Sequence, residues 1–161
     1  MEEGKSGEKK KVMVAIDESE NSNYALEWTL EKLRDTIADS DVIIFTAQPK
    51  FDLGSVYAST LGAVPVGLIT SLQENQKKIA SILLDKAKDK CAKYGIVAET
   101  VKEIGDPKYA ICEAVEKLNI ELLVLGSHNR GPVQRAFLGS VSNYCVNNAK
   151  CPVLVVKIPA V

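Results

Sequence analysis

The sequence predicts a single doubly wound, Rossmann-like α/β domain: a five-stranded parallel sheet in the order 3-2-1-4-5 with helices on both faces. Three observations predict it. Short β-branched apolar runs without polar alternation, such as VMVAID at Val12–Asp17 and VIIFTA at Val42–Ala47, suit strands covered on both faces. The stretches between these runs carry apolar residues at helical spacing, and strands alternating with helices imply right-handed crossovers. A chain of 161 residues, 46% of them hydrophobic, suffices for one core, and no internal repeat or second core is visible.

The elements follow in order. Residues 1–11 (MEEGKSGEKKK) read as a disordered polar tail, leaving 12–161 as the folded domain. After strand one, Ser19 or Ser22 can cap a helix whose Leu26, Leu30, Leu33 and Ile37 form one buried stripe, with Trp28 packing beside it. Strand two, 42–47, stops at Gln48-Pro49. Residues 50–70, rich in Gly, Ser, Ala and Pro, lack clear periodicity and read equally well as a binding loop or a surface excursion. Thr70-x-x-Gln73 resembles a capping box, and Ile79, Leu83, Ala87, Cys91 and Tyr94 supply an apolar helix face that Gly95 terminates. An edge strand is expected over Ile96–Ile104. Asp106 and Pro107 then open a helix as N-cap and first residue, with Ile111, Val115 and Leu118 facing inward. Leu122–Leu125 is strand four, Gly139–Lys150 the last helix and Val153–Ile158 strand five.

Composition removes several function classes. Twenty Lys and Arg against 21 Asp and Glu give a net charge of −1, so no positive field recommends nucleic acid or an acidic membrane as partner. The longest apolar runs fall far short of the roughly 20 residues a membrane helix needs. The polar first residues lack the apolar core of a secretory signal. Cys91, Cys112, Cys145 and Cys151 show neither C-x-x-C nor zinc spacing, which suggests a reduced, cytoplasmic setting.

Open parallel sheets bind ligands beyond the carboxyl ends of their strands, where strand order reverses. With strand one central, that crevice lies between strands one and four, where Asp17 and Gly126 stand. The segment after strand four, GSHNRGPVQRAFLGSVS from Gly126 to Ser142, is the most informative in the chain. Its glycines let backbone N–H groups approach a ligand closely. Ser140 and Ser142 add hydroxyls at the next helix start, where the partial positive charge favours phosphate. Arg130 and Arg135 could neutralise phosphate oxygens. A helix cap followed by exposed arginines is the competing reading.

Here the sequence resembles the universal stress protein family, from about Lys11 to Lys157. The V-A-I-D-x-S opening, G-D-P before the third helix and the closing C-P-V-L-V-V-K carry the resemblance. So does the phosphate motif, which runs Gly, two residues, Gly, nine residues, Gly, then Ser or Thr. This chain has Gly126, Asn129, Gly139 and Ser140 at those positions, with Asn in place of the second glycine. The F-T-A-Q-P after strand two looks like the plant branch. The resemblance implies an ATP- or AMP-binding, stress-response sensor or regulator, with Mg²⁺ assisting the triphosphate and at most slow hydrolysis. It also implies a homodimer through the C-terminal strand, located in the cytoplasm or also the nucleus, with a protein partner unknown. Ala15, Ile16 and Asp17 map to the adenosine side with Ala47. Gly126, His128, Asn129, Arg130, Gly139, Ser140, Val141 and Ser142 map to the phosphate loop.

Asn is the mildest departure from glycine if positive φ is what the position needs, since it enters the left-handed region most readily. If a phosphate touches the Cα, its side chain must swing away. A dimeric interaction module that binds no nucleotide is therefore the alternative. Other chemistries fit worse. Gly62-x-x-x-x-Gly67 has Walker spacing but continues Leu68-Ile69 where Lys-Ser/Thr is required. No G-x-G-x-x-G follows a strand, and His128 with Ser127 lacks the G-x-S-x-G elbow of hydrolases. A receiver-type phosphoacceptor needs an Asp ending strand three, where Glu103-Ile104-Gly105 stands instead.

Overall fold

Strand β1 (Lys11–Ala15) leads through helix α1 (Glu20–Lys32) and the single-turn α2 (Arg34–Ile37) to β2 (Asp41–Gln48). The long α3 (Val66–Lys93) precedes β3 (Ala98–Ile104), and α4 (Pro107–Lys117) precedes β4 (Leu122–Gly126). Helix α5 (Ser140–Asn148) and strand β5 (Val153–Val156) close the fold. This computed structural model describes residues 7–50, 66–127 and 138–159. The five strands form one sheet, all-parallel as the alternation of strand and helix predicts, in the expected order β3-β2-β1-β4-β5.

Each sheet face carries its own core, because alternate residues of a strand point to opposite faces. On one face Val12, Val14 and Ile16 pack with Leu26, Leu30 and Ile37 of the α1–α2 region and with Leu84, Ala87 and Cys91 of α3. On the other, Met13, Ala15, Phe45 and Leu123 pack with Ile111 and Val115 of α4 and Cys145 of α5. Of the stripe expected on one helix, Leu26 and Leu30 are buried on α1, Ile37 is buried on α2 because the helix breaks at Leu33, and Leu33 is partly buried with Trp28 against the same core.

Several boundaries differ from expectation for local reasons. Lys11, counted with the tail, is the first strand residue and pairs with Asp41. Helix α3 starts at Val66, so the Thr70–Gln73 box lies inside it rather than at its start. The buried stripe of α3 is Ala80, Leu84, Ala87 and Cys91, while Ile79 is exposed and Leu83 half-buried. The small Ala80 and Ala87 side chains turn inward here, and the larger Ile79 and Ile82 turn outward. β3 begins at Ala98, not Ile96, and β5 ends at Val156, not Ile158. Caps and terminators fall where expected. Ser19 Oγ accepts the Ser22 N–H, Asp106 accepts from Lys108 N–H with Pro107 following, and Gly95 ends α3 at φ 75°.

The two sheet edges differ. β3 exposes Glu99, Thr100, Lys102 and Glu103, charges and polar groups of the kind that discourage strand addition. β5 presents half-buried Val153, Leu154 and Val155. The Pro152 and Val156 carbonyls accept from Leu123 and Ser127 of the β4 side. By alternation, the backbone N–H and C=O of Val153 and Val155 point to the outer edge.

Candidate functional site

Parallel register brings the predicted positions to one edge of the sheet. Ala15 pairs with both Phe45 and Leu125, so the carboxyl ends of β2, β1 and β4 lie side by side. Ala47 lies two residues beyond Phe45, Gly126 one beyond Leu125, and Ile16-Asp17 directly beyond Ala15. The β1 end is braced from both sides. The Ile16 N–H donates to the Phe45 carbonyl at 2.8 Å, and buried Thr46 Oγ1 donates to the Ile16 carbonyl at 2.8 Å. Ala15 and Ile16 are buried on opposite faces, whereas Asp17 is exposed.

Asp17 sits at the centre of a short serine network. Its N–H donates to Ser22 Oγ at 2.8 Å. One of its carboxylate oxygens accepts the Ser19 N–H at 2.8 Å and the Ser19 hydroxyl at 2.5 Å. An Asp two residues before a Ser favours this local turn, because the carboxylate reaches the backbone N–H two positions on. The carboxylate is thereby held at the mouth of the β1–α1 turn.

Gly126 has a different reason for being glycine than ligand approach. A Cβ there would meet the Asn21 carbonyl oxygen at 2.5 Å and carbon at 2.7 Å, and the Ser22 nitrogen at 3.0 Å. The first turn of α1 rests on the end of β4, and only glycine admits it. The next residue, Ser127, is buried, and its Oγ accepts the Gly139 N–H at 3.4 Å. That contact hangs the start of α5 on the end of β4. Sequence reasoning assigned Ser127 no positioning role; its place directly after the strand was the available signal.

The amino end of α5 differs from those of α1 and α4. Both of those are capped by their own side chains, whereas the N-cap of α5 is Gly139, which has none to offer. The N–H groups of Ser140, Val141 and Ser142 therefore face the turn without a capping oxygen from the N-cap residue. Ser140 is exposed. Ser142 is buried and its hydroxyl donates to the Gly139 carbonyl at 3.0 Å, so it braces the turn. Of the predicted phosphate-side positions, His128, Asn129 and Arg130 lie outside the described residues, as does Arg135. A separate open groove of about 880 Å³ between β3 and α4, lined by residues such as Val101, Glu103, Tyr109 and Lys117, contains none of the predicted site residues.

The family model for the universal stress protein family matches residues 9–157. The chain belongs to that family. A universal stress protein A-like protein of Arabidopsis thaliana is 34% identical over 157 residues, covering 91% of this chain and 89% of the relative. A universal stress protein family protein of Arabidopsis thaliana, solved with AMP bound, superposes with TM-score 0.68 at 27% identity over 94% of this chain and 93% of that one. A Methanocaldococcus jannaschii universal stress protein superposes with TM-score 0.75 at 21% identity over 96% and 100% of the two chains, a likeness of fold.

Proposed function

We propose that this universal stress protein binds an adenine nucleotide, ATP or AMP, in the crevice between the ends of β1 and β4 and acts as a stress-response sensor or regulator. The observation that carries the reading is the glycine-capped amino end of α5 beside the end of β4. Three successive N–H groups and the exposed Ser140 hydroxyl form a donor set suited to a phosphate. The AMP found in the Arabidopsis relative's structure supports an adenine nucleotide. In this reading Ala15, Ile16, Asp17 and Ala47 face the adenosine, and Gly126, His128, Asn129, Arg130 and Gly139–Ser142 flank the phosphates.

Among the described residues no group of three or more His, Cys, Asp or Glu could hold a metal. In the proposed complex Mg²⁺ is carried mainly by phosphate oxygens and water, its usual mode with nucleotides. The outer edge of β5 supports a homodimer, since pairing with its two-fold mate would satisfy the Val153 and Val155 backbone groups. No helix among the described residues is long and apolar enough to cross a membrane.

Equilibrium dialysis with ATP and AMP, each with and without Mg²⁺, tests the reading. Binding of either nucleotide is the expected result, with Mg²⁺ strengthening ATP more than AMP. No binding of either at millimolar ligand would leave the family's interaction-module reading in its place.

A further inference from the structure

We propose that Cys112 and Cys145 are a peroxide-oxidisable pair that closes into an intramolecular disulfide joining α4 to α5. Their sulfurs lie 3.9 Å apart across the helix seam. Closing to the ~2.05 Å of a disulfide brings the two sulfurs about 1.9 Å nearer. The seam holds the two helices facing each other on either side of the pair. At one end the Tyr109 and Tyr144 rings meet edge to face at 5.2 Å, with the Lys108 ammonium 5.0 and 5.8 Å from their centres. At the other, Lys150 and Glu116 form an ion pair at 2.7 Å.

Cys91 is fully buried on the opposite sheet face. Cys151 is half-buried beside the same core, near enough to Cys112 and Cys145 to act on them electrostatically, with its thiol against the Leu123 backbone.

The order of events follows exposure. Cys112 is half-buried, while Cys145 is fully buried. The Cys112 thiolate attacks one oxygen of hydrogen peroxide and breaks the O–O bond, giving the sulfenic acid and, after proton transfer, water. The Cys145 thiolate then attacks the Cys112 sulfur, forming S–S and expelling the hydroxyl as a second water. Two thiols lose two electrons and two protons, and one peroxide becomes two waters. Burial raises the Cys112 thiol and pushes Cys145 up to about 12, so thiolate is scarce and closure is slow at neutral pH. The same lack of thiolate stabilisation makes the closed disulfide hard to reduce. The bond does not depend on nucleotide binding.

The test treats the folded full-length chain with hydrogen peroxide, then counts thiols and maps tryptic peptides. Trypsin separates the three cysteines concerned, because Lys108, Lys117 and Lys150 divide Cys112, Cys145 and Cys151 among different peptides. Loss of two of the four thiols is expected, with a monomer mass lower by two hydrogens and a Cys112–Cys145 cross-link. Cys151→Ser should behave identically, and Cys112→Ser, checked for native circular dichroism, should lose the cross-link. Unchanged thiols, a cross-link involving Cys151 or a second chain, or sulfinic acid in place of a disulfide would each overturn the proposal. The parent protein's own map stands without any variant.

Discussion

Replacing Gly126 by alanine isolates the packing at the base of the crevice. The added Cβ would lie 2.5 Å from the Asn21 carbonyl oxygen and 2.7 Å from its carbon, at least ~0.8 Å inside ordinary contact. Both atoms are backbone and cannot rotate away, so the first turn of α1 must retreat. Retreat pulls on buried Ser22, whose Oγ holds the Asp17 N–H. Overpacking costs about 1–3 kcal/mol, and loss of one hydrogen bond adds about 1. The reduced freedom of the unfolded alanine chain returns only ~0.4–1. The net expectation is a loss of about 2–3 kcal/mol, or roughly 4–12 °C in melting temperature at this chain length. Urea unfolding at constant m-value, with calorimetry alongside, measures it. Stability within about 0.5 kcal/mol of the parent would refute the reasoning. A simultaneous loss of nucleotide affinity alone would return Gly126 to the role of admitting a ligand.

Five further outcomes are expected. Ser140→Ala should weaken ATP about tenfold to a hundredfold in a binding titration with melting temperature unchanged. Ser142→Ala, which removes a buried hydroxyl bond to the Gly139 carbonyl, should instead cost about 1 kcal/mol in urea unfolding. Val155→Pro removes an N–H directed to the outer edge and leaves the β4 side of β5 untouched, so light scattering should show a folded monomer. Asn129→Gly should bind ATP as well as the parent or tighter by at most ~1–2 kcal/mol, and Asn129→Val far worse; a silent parent beside a tight glycine variant would mean that Asn129 blocks the site. Burial raises the Cys91 thiol from 9.0 to about 11 and Cys145 to about 12. Between pH 9 and those values the unfolded chain binds fewer protons than the folded one. Stability should therefore fall as pH rises through that window, by a few kcal/mol in total, and urea midpoints at stepped pH check the sign.

The parallel sheet was legible because its inner strands are buried on both faces, so 12–16, 42–45 and 122–125 read as apolar runs without polar alternation. Caps were legible because they are local: Asp106-Pro107 and Gly95 act within a few residues of themselves. The face of α3 was legible from Leu83 onward, where Leu83, Ala87, Cys91 and Tyr94 pack on the core as expected, and it failed at Ile79. There the inward residue is Ala80, and a hydrophobicity pattern weights the neighbouring Ile79 above it. Only the sheet it packs on turns the alanine side inward. The start of α3 at Val66 was hidden because Gly67 is a poor helix former and the capping-box pattern of Thr70 and Gln73 offers a start four residues later. The reason for glycine at 126 was equally out of reach, since the atoms that exclude a Cβ belong to residues about a hundred positions earlier.

That long-range contact bears on how the crevice is assembled. Its acidic side is the β1–α1 turn, where Ser22 and Ser19 hold Asp17. Its other side is the start of α5, whose three N–H groups receive no capping oxygen from the N-cap residue Gly139. Nothing in the local sequence of either side sets their separation. Two consecutive residues at the end of β4 do so: Gly126 seats the Asn21–Ser22 backbone, and Ser127 receives the Gly139 N–H. β4 is in turn paired with β1 along Val12–Ala15, so both sides are referenced to the same pair of central strands. A carboxylate and a helix start held from one strand terminus take their spacing from that terminus. This makes Gly126-Ser127 a positioning element of the crevice, apart from any contact either residue makes with a ligand.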